Sequence, residues 1–560
     1  MSSSGDTAAT FSATLVDEWV RQGVRHAVVA PGSRSTPLAV ALAMNDAIEV
    51  HIFHDERSAS FAALGIGTAS GVPAVLLCSS GTAGTHFHAA VVEAHQSDVP
   101  MIVCTADRPP ELRDVAAAQT IDQTHLFGSA VRWFHDPGVP TRDAAMTWRS
   151  LAARTVQAAV GIHPGPVHLN LPFREPLTGD VVDMPPPREK KWSDVIHLGT
   201  SENQDVSVIV SAISGRRGVI VAGRGASREV LSLAQSLGWP IFADAVSGVR
   251  ESNSAVIIGF DAILRSEKFA STHIPEVVLR IGAPPASKVL AQWVSKIDCQ
   301  VIQVRSSSMV IDPDHKVQFT LIGDVDSATR TLASVATACD KSWLTSWSKA
   351  EVAAQQVMSD WTSENFSEPS IARTVTSAMT VGSHLVVSSS MPIRDVEWFG
   401  TTTSGVTVHS NRGTNGIDGV VSTAVGVSLA TKARVTLLIG DIACLHDSNG
   451  LWALNRRDVD LTIVVTNNDG GSIFSFLPQA QIVSNSHFEL LYGTPHGASF
   501  EHLAATHGIA FERVTTVSEL AATLQHGGTR LIEVPCDRFS NVSQHEALQS
   551  AVVAAVEATA

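Results

Sequence analysis

The chain has 560 residues, 44% hydrophobic and 17% charged, a balance that supports large buried cores and excludes a disordered polymer. Its formal charge of −15 disfavours nucleic-acid binding, which needs a basic face, and no run of Lys or Arg is visible. No apolar stretch is long enough to span a bilayer, and the N-terminus lacks the basic-then-apolar pattern of a secretory leader. Six scattered cysteines (Cys78, Cys104, Cys299, Cys339, Cys444, Cys536) form no CxxC pair, so buried thiols and a cytoplasmic location are expected. The 22 histidines show no HExxH or clustered ligand spacing.

Length predicts about three domains. In chain order, the first block (1–182) carries the apolar runs HAVVA, EVHIF, PAVLLC, PMIVCTA and PVHLNLP, with helical patterns such as SASFAALGIGTAS between them. That alternation predicts a parallel sheet flanked by helices. DMPPPREKKWSD, residues 183–194, reads as a linker. The second block (195–340) has GVIVAG, PEVVLRIG and CQVIQVR and is expected to be smaller. A helical connector, SWLTSWSKAEVAAQQVMSDW, leads to the third block (360–560), with HLVVSSS, VTVHSN, RVTLLIG, LTIVVTN and RLIEVP. Blocks one and three look alike in architecture. The fold class is α/β, three domains of parallel sheets covered by helices.

The chemistry is expected at strand exits, where open parallel sheets bind ligands. RVTLLIG ends in Gly440-Asp441 and LTIVVTN in Asn467-Asn468, with a helical segment between. Neighbouring parallel strands would set Asp441 beside Asn468. A carboxylate, an amide oxygen and a nearby carbonyl suit a hard divalent cation, although a Gly-Asp and an Asn-Asn turn also serve as ordinary loop residues. Glu56 follows EVHIF at a helix start, a place where the dipole alone favours an acid. Four arginines stand past strands: Arg34 in APGSRSTPL, Arg108 in TADRPPELRD, Arg394 in SSSMPIRD and Arg412 in SNRGTNGIDG. Their planar forks match carboxylates. VAGRGAS in the middle block, with Gly223 and Gly225, fits a tight turn as well as a nicotinamide phosphate loop.

APGSRSTPL, FHDERSASFAALG, SSGTAGTHFHAAVVEA, TADRPPELRD, QTIDQ, SNRGTNGIDG and the GDIACLHD…NND segment together resemble the thiamine diphosphate (ThDP)-dependent enzymes. Within them they resemble the menaquinone-pathway branch, which joins the succinyl fragment of 2-oxoglutarate to isochorismate with loss of CO2. The resemblance spans nearly the whole chain, dense in blocks one and three and thin in the middle.

It implies a ThDP-binding fold with a pyrimidine-binding first domain, a middle domain and a diphosphate-binding third domain. Asp441, Asn468 and the Gly470 carbonyl would hold Mg²⁺ or Mn²⁺. Thr82, Ser390, Gly440, Ile442, Ala443 and Ile473 would surround the cofactor, with Ile417 as the apolar wedge that keeps it bent. Glu56 would bond a ring nitrogen of the aminopyrimidine. Arg394 and Arg412, with Ser390, fall on the succinyl side; Ser33, Arg34, Arg108, Gln119 and Lys288 fall on the isochorismate side. Ile442 stands where many ThDP enzymes have a second glycine, an aliphatic position usual in this branch. Val289 stands where a second cation is expected after Lys288. A homodimer, or a dimer of dimers, is implied. The same signature would serve another ThDP-dependent 2-oxo acid decarboxylase or ligase, but small 2-oxo acids would not need four arginines.

Overall fold

The computed structural model describes residues 3–195, 206–307 and 309–559. Three six-stranded sheets, every strand pair parallel, organise the chain. The first comprises β1 (His26–Val29), β2 (Glu49–Ile52), β3 (Ala74–Cys78), β4 (Met101–Asp107), β5 (Trp133–His135) and β6 (Pro166–Pro172). The second holds β7 (Gly218–Ala222), β8 (Ile241–Ala243), β9 (Val256–Ile257), β10 (Val277–Ile281), β11 (Gln300–Arg305) and β12 (Val317–Ile322). The third holds β13 (His384–Val387), β14 (Thr407–His409), β15 (Val435–Gly440), β16 (Leu461–Asn467), β17 (Ala510–Arg513) and β18 (Arg530–Pro535).

The strand orders explain which elements deliver functional loops. The first sheet runs β2-β1-β3-β4-β6-β5 and the third β14-β13-β15-β16-β18-β17, the same order repeated. The likeness expected between blocks one and three is therefore topological. The second runs β12-β11-β10-β7-β8-β9, with its order reversing between β7 and β10. The middle sheet has as many strands as the others, so the expectation of a smaller block was wrong for strand number. The strands that sequence reading missed are β5, β8, β9, β12 and β17.

Central strands form because they are covered on both faces. All five residues of β3 and all seven of β4 are buried, as the unbroken apolar runs require. None of the helices among the described residues is long and apolar enough to cross a membrane. All six cysteines are free thiols, with Cys299 and Cys536 only half-buried.

Chain contacts divide the molecule into two compact units. One takes the described residues of Met1–His197 with Asn411–Lys432 and Leu445–Val459; the other takes those of Leu198–Ser410, Ala433–Cys444 and Asp460–Ala560. In the first unit, helix Glu56–Ser70 packs along helix Val420–Thr431. Glycines make the crossing close. A Cβ on Gly65 would lie 2.1 Å from the Thr423 carbonyl oxygen, and one on Gly426 2.1 Å from that of Ala62. Gly65→Val is expected to lower stability by about 1–3 kcal/mol through overpacking, read as a reduced urea midpoint; an unchanged midpoint would show that the helices can separate freely.

Candidate functional site

The second unit supplies an oxygen-rich corner. Parallel pairing sets Gly440 of β15 opposite Thr466 of β16, so both strands deliver their following residues to one sheet edge. Helix Asp441–His446 starts immediately at the end of β15. The buried Asp441 carboxylate accepts the N–H groups of Ile442 (2.7 Å), Asn468 (3.1 Å) and Gly470 (3.0 Å). His496 Nε2 lies 3.2 Å from Asp441 Oδ2. Burial raises the Asp441 pKa, against the opposing pull of the Gly470 and Ile442 N–H groups and of His496.

Asn468 is oriented from behind. Its Nδ2 donates to Glu368 Oε1 at 2.7 Å, while its Oδ1 is buried without a partner. Burial and the neighbouring Asp395 carboxylate push Glu368 up to about 7. Gly470 has φ 146°, and a Cβ there would lie 2.0 Å from the Gly493 carbonyl oxygen. A Cβ on Gly440 would meet nothing within 4 Å, so open space faces the strand end. An orphaned amide oxygen beside a buried carboxylate and an open glycine fits a hard cation with phosphate ligands.

Ser390 holds φ 76° at the start of helix Met391–Phe399, a left-handed value that a serine adopts only under constraint. Arg394, on that helix, donates to the Ser390 carbonyl. Ala443 is buried, and Ile442 and Ile473 are half-buried. Lys288 is exposed and begins helix Lys288–Lys296 beyond the N-cap Ser287.

The first unit supplies a cationic corner at the ends of β1, β3 and β4. Arg34 is buried, donating to the Phe173 carbonyl (3.0 Å) and to Glu175 (3.1 Å), with its Nε unpartnered. Arg108 follows β4 directly and donates to Ser80 Oγ. Burial and the nearby Arg34 charge lower the Arg108 pKa. Gln119, at φ 54°, donates to the Ser80 carbonyl at 3.0 Å. Arg34, Arg108 and Gln119 thus converge, while Ser33 and Thr82 are exposed.

Glu56 is the first residue of its helix, and its charge helps burial raise the Cys78 thiol at the end of β3. Its neighbours are tied down. Asp55 caps the helix and accepts from Asn449 (2.6 Å); Arg57 donates to the His446 carbonyl (2.7 Å); Ser58 donates to the buried Asp447 (3.1 Å). His54 packs edge-on to Trp452 with ring centroids 4.0 Å apart.

Arg412 and Ile417, both half-buried, sit on a loop held by a residue that sequence reading missed. The buried Glu93 carboxylate accepts the N–H groups of Gly413 (2.7 Å) and Thr414 (2.6 Å), the Thr414 hydroxyl (2.7 Å) and the Ser97 hydroxyl (2.8 Å). Glu368 and His496 were missed as well. Each acts across long sequence separations, so only AVVEA, EPS and TPHG as polar interruptions of otherwise ordinary segments could have flagged them.

Family models place this geometry. Residues 9–126 match the thiamine pyrophosphate enzyme N-terminal TPP-binding domain, 188–387 the middle domain of thiamine pyrophosphate enzymes, and 399–534 the C-terminal TPP-binding domain. A 2-succinyl-5-enolpyruvyl-6-hydroxy-3-cyclohexene-1-carboxylate synthase from Thermobifida fusca is 41% identical, covering 98% of this chain and 99% of its own. Synthases of the same name from Bacillus pumilus (39%, covering 98% of each chain) and Chloroflexus aurantiacus (40%, 96% of this chain and 95% of its own) are similar too. The chain belongs to this synthase family of ThDP enzymes. Thiamine diphosphate is accordingly its cofactor.

Four donors meet the Glu93 carboxylate, and an amide can serve fewer of them. Glu93→Gln is expected to lose about 1–3 kcal/mol of loop stabilisation and to lower kcat/KM by about tenfold or more, with the cofactor still bound by tryptophan-quench titration. Unchanged kcat/KM would show that the loop holds without this clamp.

Proposed function

We propose that the chain catalyses ThDP-dependent decarboxylation of 2-oxoglutarate and conjugate addition of the remaining succinyl unit to isochorismate, releasing CO2, in menaquinone biosynthesis. The observation that carries this reading is the full-length likeness to synthases of that name, and the corner found in each unit, taken by itself, adds chemistry to it. When bound, the cofactor supplies the electron sink for the decarboxylated carbon.

The chain's own residues do the rest. Asp441, Asn468 and the Gly470 carbonyl hold Mg²⁺ or Mn²⁺, supported by the orphaned Asn468 Oδ1 and the buried carboxylate. Gly440, Ile442, Ala443, Ile473, Thr82 and Ser390 shape the cofactor pocket, and Ile417 gives it an apolar support. Glu56 would hold a proton at a ring nitrogen of the aminopyrimidine, which favours the imino tautomer, whose nitrogen can act as a base. Its tethered neighbours fix the carboxyl's approach. Arg394 and Arg412, with Ser390, orient the succinyl carboxylate. Arg34, Arg108, Gln119 and Ser33 receive the carboxylates of isochorismate, with Lys288 as a further cation. Arg34 gives one N–H from Nη1 to Phe173 and one from Nη2 to Glu175, and Nε is its nitrogen without a partner; held in this way, its main work is to add positive charge beside Arg108. Water exclusion matters because protonation of the decarboxylated carbon would waste 2-oxoglutarate.

The functional assembly is a homodimer or a dimer of such dimers, working in the cytoplasm. Its domains are a pyrimidine-binding domain over 1–182, a middle domain over 195–340 and a diphosphate-binding domain over 360–560.

The deciding assay supplies ThDP, Mg²⁺ and both substrates. CO2 release from 2-oxoglutarate, with adduct formed only when isochorismate is present, is expected; preferential release from pyruvate would overturn the substrate assignment. Glu56→Gln is expected to keep cofactor binding and lose about 10²–10⁴-fold in turnover, whereas near-normal turnover would remove its role. Arg412→Ala is expected to raise KM for 2-oxoglutarate about tenfold or more and leave that for isochorismate nearly unchanged. The opposite pattern would exchange the two substrate sides.

A further inference from the structure

At the amino edge of the first sheet, away from the strand ends that carry the cationic corner, three ligand-type side chains face one another. His26 opens β1, Glu49 opens β2, and His51 lies two residues further along β2. The register pairs His26 with Glu49 and Val28 with His51, and Glu49 and His51 share one face of their strand by its two-residue period. His26 Nδ1 is 3.2 Å from His51 Nε2 and 3.8 Å from Glu49 Oε2. All three ligand atoms fall within 4.8 Å of one another.

The third sheet offers an internal comparison. His384 and His409 occupy the corresponding places on β13 and β14, with Val386 paired to His409. Their facing nitrogens are 2.9 Å apart, and the rings stack at 5.2 Å and 15°, against 5.4 Å and 23° for His26 and His51. A ring-to-ring hydrogen bond is therefore a property of the repeated fold and needs no metal. The two places differ at one position: the residue paired with His384 is Thr407, whereas the residue paired with His26 is Glu49. Only the first sheet combines two imidazoles with a carboxylate.

We propose that His26, Glu49 and His51 form a binding site for a zinc-class divalent ion, with water as the fourth ligand, which fastens edge strand β2 to β1. Two imidazole nitrogens bound to one tetrahedral zinc at about 2.0–2.1 Å stand roughly 3.3 Å apart, close to the 3.2 Å found here. Burial drives the His51 pKa down to about 4 and lowers that of His26, so both rings are in the neutral form that ligates metals. Nitrogen ligands select Zn²⁺ over Mg²⁺, which separates this site from the oxygen corner around Asp441. Two cations oppose it. Lys432 Nζ lies 2.8 Å from Glu49 Oε1, and the charge of Arg457 acts on His51. Lys432 engages only Oε1, which leaves Oε2 on the His26 side. The consequence is positional. β2 is a four-residue edge strand, and the chain leaving its far end leads to Glu56.

The test is equilibrium dialysis of Zn²⁺ against the full chain saturated with ThDP and Mg²⁺, with thermal unfolding alongside. Wild-type protein is expected to take up one zinc per chain with a raised midpoint. His51→Ala should abolish uptake, Glu49→Gln should weaken it by about tenfold or more, and His409→Ala should leave it unchanged. Glu49 and Lys432 are both about half exposed (45% and 44%), so Glu49→Gln and Lys432→Met remain decisive should His51→Ala fail to fold. Lys432→Met should tighten binding. Absence of uptake by the wild type, uptake indifferent to Glu49→Gln, or equal loss in His409→Ala would overturn the site.

Discussion

The carboxylate of Asp441 ties together the part of the second unit where the chemistry converges. Taking an ionised carboxylate out of water costs several kcal/mol unless donors replace the lost solvent. Here three backbone N–H groups do so, one from its own helix start and two from the turn after β16. That turn can aim two N–H groups at one oxygen only because Asp469 and Gly470 adopt positive φ values of 54° and 146°. Gly470 must be glycine for a second reason, since the Gly493 carbonyl occupies the space of a Cβ. Once the turn is fixed, Asn468 projects its amide at Glu368, and the donor half of that amide is consumed. The acceptor half is left facing the corner. One buried charge therefore sets the geometry of both side-chain ligands in the proposed cation site, and the outer partner Glu368 chooses the amide's orientation.

Much of the fold could be read from the sequence because central parallel strands are buried on both faces and spell continuous apolar runs. PAVLLC, PMIVCTA, RVTLLIG and LTIVVTN all lie at or next to the middle of their sheets. The strands that escaped reading lie at or near the margins. β12 alternates half-buried and exposed residues, and β5 and β17 have no fully buried residue. Such segments carry weak hydrophobic signals, and their pairing is decided by the neighbour already in place. In the middle sheet β8 and β9 are fully buried but only three and two residues long, too short to spell an apolar run, so with β12 three strands of that sheet went unread.

The site divides similarly. Asp441 and Asn468 were legible because strand ends 27 residues apart in parallel neighbours must lie side by side. Glu93 was not, since the loop it clamps lies 320 residues away. An acid inside VVEAHQ reads as one solvated helix position, and only its burial reveals a carboxylate saturated by donors. His496 posed the same problem, because an imidazole beside Asp441 depends on how a later segment returns to the corner. Arg34 was legible as a cation but not as an anchored one; its bonds to Phe173 and Glu175 depend on the chain segment after β6.

The duplicated topology shows how one architecture supports opposite electrostatics. The strand exits of the third sheet present a buried carboxylate and an amide oxygen; those of the first gather guanidinium groups near Ser80. In a chain of net charge −15, such a cationic corner must be built locally. The Arg34 charge disfavours that of Arg108, and the compensating acids are incomplete: Asp107 is buried beside Arg113 at 2.8 Å, and Glu175 is 73% exposed. A like-charge pair of this kind is strained without an anion and relieved by one. A carboxylate bound between the two guanidinium groups would attract both and offset their mutual repulsion, so the corner suits an anionic substrate for a reason that no single arginine supplies.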